Sequence, residues 1–200
     1  MKQTIMILSM WCVAVCMQAQ TARQVLDRAA SEFKKTQSIT AEFELSTGGG
    51  RDKGTIILQG QKFRTTTSGN TIWFDGKTMW TYVHDNEEVN VTEPTAAQVA
   101  RINPYSFLNM YKQGYDVAFG GSTLTDYEVV LTATNNKASI QKAILRIKKT
   151  DYTPLYVMMG TARADVEISV TSYKKTTKQP DATFRFNKQK YPKVEVVDLR

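Results

Sequence analysis

Thiols are nearly absent from these 200 residues: there are two cysteines, Cys12 and Cys16, both inside the first twenty positions. If that leading segment is removed, the remainder has no disulfide, no metal thiolate and no cysteine nucleophile. Histidine is equally scarce. The single one, His84, stands in a turn-like His-Asp-Asn-Glu run, so no pair of imidazoles exists to hold zinc. No serine sits in a nucleophile-elbow context. Glu42 and Glu44 alternate with apolar neighbours and are expected on the solvent side rather than as an acid–base pair. These absences point away from an enzyme. No cofactor is expected, and no nucleic-acid motif is visible.

Long apolar runs are missing too. The longest spans residues 5–17, follows Lys2 and precedes Gln18-Ala19-Gln20. It is too short to cross a bilayer as a helix and reads as a secretory signal peptide, residues 1–19, with cleavage after Ala19. Export to the periplasm follows from that reading. An alternative stays open at Cys16: Val13-Ala14-Val15-Cys16 is an imperfect lipobox, and acylation there would make an anchored receptor. The remaining residues, 20–200, show no linker or repeat and read as a single domain, long enough to bury its own core.

Acidic residues are in deficit only in the second half. Residues 1–100 carry ten basic and ten acidic side chains, and residues 101–200 carry sixteen and nine. The lysines cluster at 148–149, 174–178 and 188–193. Such an excess steers acidic partners or anionic surfaces, or simply keeps exposed strands from pairing edge to edge.

What is present is strand pattern. Thr21-Ala-Arg-Gln24 is a capping box opening an amphipathic helix through Lys35. Strands are expected at 39–46, 53–59, 62–67, 71–75, 77–84 and 88–93, with a flexible connection at 47–52. Helices are expected at 95–102 and 104–111, the second with Pro104 in its first turn. Further strands are expected at 116–119, 127–132, 140–149, 155–161, 166–174, 183–186 and 194–197. Asp75-Gly76 reads as a two-residue hairpin turn, because Asp-Gly supplies positive φ angles.

The meander Asp75-Gly76-Lys77-Thr78-Met79-Trp80-Thr81-Tyr82 resembles the outer-membrane lipoprotein carrier (LolA-like) family. Gly54 to Leu58 and Lys62-Phe63-Arg64 fit the two strands that family places before it. Asn103-Pro104-Tyr105-Ser106-Phe107-Leu108 fits its mid-chain helix. The resemblance covers residues 22–110 well and the rest only in pattern. It implies a mainly β, α+β fold: an incomplete antiparallel β-barrel of about eleven strands, with a helical lid over its concave face.

The resemblance also implies a function. A carrier would hold the acyl chains of lipoproteins in an apolar cavity and shuttle them from inner to outer membrane. Its partners would be acylated lipoproteins or lipid, the inner-membrane lipoprotein-releasing complex and the outer-membrane receptor. A monomer is expected. The alternative is an exported lipid- or lipoprotein-binding sensor or receptor module (LolB-like) that does not shuttle. A β-domain with a filled core is the blander reading. Cavity candidates are Phe43, Leu45, Ile57, Phe63, Ile72, Phe74, Met79, Phe107, Leu108 and Tyr111. Of these, Phe63 and Ile72 match lining residues of the family, and Phe107 and Leu108 match its lid helix. Phe63→Glu or Leu108→Glu is expected to abolish lipid binding while the sheet still folds. The chain departs from the family between residues 59 and 63. Gly60-Gln61 stands where an Arg-Pro pair helps hold the lid shut, and Thr65 replaces a second aromatic. Arg64 and Arg51 are the nearby arginines.

Overall fold

The computed structural model describes residues 20–103, 111–160 and 164–200. The expected helix at 104–111 and the signal peptide therefore lie outside the described residues, apart from Tyr111. Helix α1, Ala22–Lys35, opens with the capping box read from the sequence: Thr21 accepts from the Gln24 N–H, and the Gln24 side chain accepts from the Thr21 N–H. Its stripe of Ala22, Val25, Leu26, Ala29 and Ala30 is buried.

Among the described residues, twelve strands form one open sheet. In chain order they are β1 Ser38–Thr47, β2 Gly50–Gln59, β3 Lys62–Thr66, β4 Asn70–Phe74, β5 Met79–Val83 and β6 Glu88–Thr92. Helix α2, Ala96–Ile102, follows, again with a capping box, between Thr95 and Gln98. Then come β7 Tyr115–Ser122, β8 Asp126–Ala133, β9 Lys142–Lys148, β10 Pro154–Gly160, β11 Asp165–Thr176 and β12 Glu195–Asp198. The lateral order is β12-β6-β5-β4-β3-β2-β1-β11-β10-β9-β8-β7, with β12 and β7 as free edges. The sheet is an unclosed barrel.

Three sequence expectations change. Residues 47–52 are not a loose connection: β1 and β2 pair out to Thr47–Gly50 around Gly48-Gly49. Pairing persists there because Lys53 meets Glu44 at 3.0 Å and the Asp52 carboxylate accepts from the N–H and hydroxyl of Ser68. Second, residues 183–186 are not a strand. Asp181–Phe184 is a 3-10 turn closed by the Thr183 N–H on the Pro180 carbonyl, and it buries one side chain, Phe184, completely. A second such turn spans Lys188–Lys190. Third, β12 pairs with β6 in parallel, the exception in an otherwise antiparallel sheet.

Register decides the two faces. The inner face runs through Ile39, Ala41, Phe43 and Leu45 of β1, Ile56 and Leu58 of β2, and Phe63 and Thr65 of β3. It continues through Ile72 and Phe74 of β4 and Met79 of β5. These residues and the α1 stripe share one hydrophobic cluster with Val129, Leu131, Leu145 and Val157 from the far strands. A sheet that brings both its halves onto one helix must curl. Extra residues in the ladder supply the bend: register shifts against β11 at Glu42/Phe43, between β9 and β10 near Leu155, and in β7 near Gly120. The outer face of β4 to β6 carries a second cluster of Val89, Val91 and Val194, packed with Trp80, Tyr82, Phe186 and Tyr191. The chain after residue 176 covers that face.

Candidate functional site

An apolar pocket of about 320 Å³ opens on the inner face. Phe43 and Leu45 of β1, Ile56 of β2 and Ile72 of β4 form one wall. Val166 and Ile168 of β11 form the other, and Ile102, the last residue of α2, closes one side. Helix α2 is thus held over the sheet as a partial cover, with Val99 and Ile102 packed on the core. The polar groups around the pocket are neutral: Thr47, Thr65, Thr67 and Asn70. Thr65 donates its hydroxyl to the Thr55 carbonyl at 3.2 Å, so the residue replacing an aromatic brings no unpaired polar group. No charged side chain lines the pocket among the described residues. The Phe43 ring reaches over Gly54, which faces it across the ladder: a Cβ at 54 would stand 2.4 Å from that ring.

The sequence candidates separate into groups. Phe43, Leu45 and Ile72 border the pocket. Phe63, Phe74 and Met79 lie on the same face but inside the closed core, Phe63 and Phe74 with ring centres 5.3 Å apart. Ile57 lies on the opposite face, in register with Arg64 and Trp73. Tyr111 is buried against α1. Its hydroxyl donates to Asp27 at 2.5 Å, and Arg23 donates to its carbonyl and stacks over its ring. Burial first, then the Asp27 carboxylate, push the Tyr111 phenol well above its ordinary pKa. Phe107 and Leu108 lie outside the described residues.

Sequence reasoning missed Ile56, Ile102, Val166 and Ile168. Ile56 was within reach. Gly60-Gln61 joins β2 to β3 by a two-residue loop, so an inward Phe63 forces Leu58 and Ile56 inward and Ile57 outward. The run Ile56-Ile57-Leu58 is apolar on both faces and hides that parity. Val166 and Ile168 come from a strand a hundred residues away, whose register with β1 no local pattern sets.

Neither nearby arginine reaches the pocket. Arg64 sits over the Trp73 ring, 5.8 Å from its centre, on the outer face. Arg51 lines a separate polar cleft beside Glu44 and Glu167. His84 holds a turn together, with Nδ1 on the Ser68 carbonyl at 2.8 Å and Nε2 on the Thr71 hydroxyl at 3.0 Å. Among the described residues no cluster of three or more His, Cys, Asp or Glu side chains is placed to hold a metal. No described helix is long and apolar enough to cross a membrane.

An open sheet curled over one helix, with an uncharged pocket under a second, is the arrangement the meander motif implied. The family described as outer membrane lipoprotein carrier protein LolA matches residues 12–163. The chain belongs to that family. The match covers most of this LolA-family chain and stops before the segment that lines its outer face.

Among solved structures, an uncharacterized conserved protein from Thermus thermophilus superposes with a TM-score of 0.62 at 14% identity, over 88% of this chain and 98% of that one. The lipoprotein LppX of Mycobacterium tuberculosis superposes with a TM-score of 0.50 at 9% identity, over 77% and 95% of the two chains. At such identities the likeness is one of fold. Among curated proteins no sequence matches.

Proposed function

We propose that this LolA-family protein is an exported, non-enzymatic carrier that shields the acyl chains of lipoproteins in its inner-face pocket. Residues 1–19 direct export and are removed. In the periplasm the protein receives its cargo from an inner-membrane lipoprotein-releasing complex and passes it to an outer-membrane receptor. The observation that carries this reading is the uncharged pocket bounded by Phe43, Leu45, Ile72 and Ile102. Each methylene withdrawn from water is worth about 0.8 kcal/mol, so an exposed chain of ~15 methylenes costs ~12 kcal/mol. A shuttle needs such a pocket and a cover whose open and closed states the cargo can bias. The sheet is the rigid part, and α2 is the cover.

A second reading, a lipid- or lipoprotein-binding receptor that does not shuttle, is favoured by one feature. The family's lid arginine is replaced by the Gly60-Gln61 turn, Gly60 having a φ of 59°, and Arg64 faces away. Native mass spectrometry of the protein from its own periplasm separates the two. Co-purified acylated peptides support the carrier. Free phospholipid or fatty acid alone supports the binding module, and acyl groups on Cys16 identify an anchored receptor. A protein that binds no acyl chain, even when offered a fluorescent fatty acid, defeats both.

A further inference from the structure

A cleft roomier than the apolar pocket lies elsewhere on the molecule. It lies on the outer face, between β4 and the segment 180–191, with a volume of about 770 Å³. This segment follows residue 163, where the family match ends. Trp73 forms the floor, buried to 4% exposure beneath the Phe186 and Tyr191 rings, which meet it edge-on at 5.6 and 5.8 Å. Four cations stand around it, Arg64, Arg185, Lys188 and Lys190, and no carboxylate lines it among the described residues.

Two of these cations are engaged within the fold. Arg185 pairs with Asp75 at 3.0 Å, and the Lys188 ammonium donates to the Val194 carbonyl. The other two are not neutralised. Arg64 contacts the Trp73 ring, and neither it nor Lys190 has a carboxylate within ion-pair distance among the described residues. Asn187, whose Oδ1 already accepts from the Gln189 N–H, and Gln189 add side-chain amides to the lining, beside Pro180, Ala182 and Thr183.

We infer that this outer-face cleft binds an acidic peptide segment of a partner protein. Forked and point cations recognise carboxylates. Aromatic rings accept the apolar parts of neighbouring side chains. Asparagine and glutamine amides satisfy an extended main chain, which both donates and accepts. A bare phosphate would engage the cations and leave rings and amides unused, so the mixed lining favours peptide. The cleft is on the opposite face from the acyl pocket, and its occupation does not depend on cargo.

Fluorescence anisotropy tests this on the mature protein, with a short fluorescein-labelled peptide of glutamates flanking a tyrosine. Saturable binding is expected, absent for the glutamine version of the peptide and weakened on raising salt from about 0.05 to about 0.5 M. The double variant Arg64→Gln/Lys190→Gln removes both free cations and spares the Arg185–Asp75 pair. It is expected to weaken binding about fivefold, since exposed ion pairs are individually modest, with thermal melting and fatty-acid binding unchanged. Equal affinity in the double variant overturns the inference. So does complete displacement by equimolar inorganic phosphate, which leaves a simple anion site. Partition onto phosphatidylglycerol vesicles by a protein that ignores the peptide also overturns it, in favour of a membrane-facing surface.

Discussion

Gly54 shows how one missing methyl shapes the pocket. A Cβ there would also lie 2.8 Å from the Thr66 carbonyl, a backbone atom that cannot swing aside. Gly54→Ala is therefore expected to cost about 1–3 kcal/mol as overpacking, read from the urea midpoint, and to weaken fatty-acid binding by displacing Phe43. Ile72 and Phe63 make a sharper pair. Ile72 borders the pocket and is half-buried, so Ile72→Glu is expected to abolish binding of a fluorescent fatty acid while the far-UV spectrum and melting stay near wild type. Phe63 has no exposed surface, which revises the expectation that Phe63→Glu spares the fold. An unpaired carboxylate in that core is expected to cost more than about 4 kcal/mol and to unfold the protein. If Phe63→Glu melted like wild type and Ile72→Glu still bound lipid, the pocket assignment would fall. Ile72 was legible through the family resemblance, Phe43 and Leu45 through period-two alternation. Alternation was silent on which aromatic on that face is sealed and which borders space, because that depends on what α1 and α2 cover.

Strands and helix starts were legible because their chemistry is local. The capping box read at Thr21 formed, α2 starts where a helix from 95 was expected, with an unread capping box at Thr95, and the meander from β4 to β6 has its expected order. The Asp75-Gly76 turn formed one residue out of step. Its central pair is Gly76-Lys77, Gly76 alone has positive φ, at 102°, and Asp75 closes the loop by accepting from the Lys77 and Thr78 N–H groups. The dipeptide signal was right in kind, but the carboxylate does the closing. The segment after residue 176 was not legible. Its shape depends on Phe186, Tyr191 and Val194 finding the outer face of β4 to β6 and on the burial of Phe184, and no periodicity announces that. Its hold should be strong. Phe184→Ala is expected to cost about 3–5 kcal/mol, as for other fully buried phenylalanines. It should also shift Trp73 emission to the red, because the cover over β4 loosens. An unchanged urea midpoint with unchanged emission would mean that the segment does not seal the outer face.

Titration ties the inner core to the stability of the whole molecule. Burial and the Asp27 carboxylate raise the Tyr111 phenol, burial and Asp151 push Tyr173 up to about 12, and burial raises Tyr115. An unfolded tyrosine titrates near 10. A phenol raised above that value contributes stability in full below about pH 10, and the contribution is lost as pH climbs from there through the folded value. The carboxylates of Asp75 and Asp151 run the other way. Their burial opposes ionisation, but N–H donors from Thr78 and Lys77 at Asp75, and from Thr153 at Asp151, hold both below their ordinary values. Their contribution is present above about pH 4 and is lost as pH falls below it. Urea midpoints are therefore expected to form a plateau between about pH 4 and pH 10 and to fall on both sides. Tyr111→Phe separates the parts. It removes the bond to the Asp27 carboxylate, which should cost about 1.5–3 kcal/mol at neutral pH, and it should flatten the alkaline fall. An unchanged alkaline slope in this variant would assign that slope to Tyr173 and Tyr115 instead.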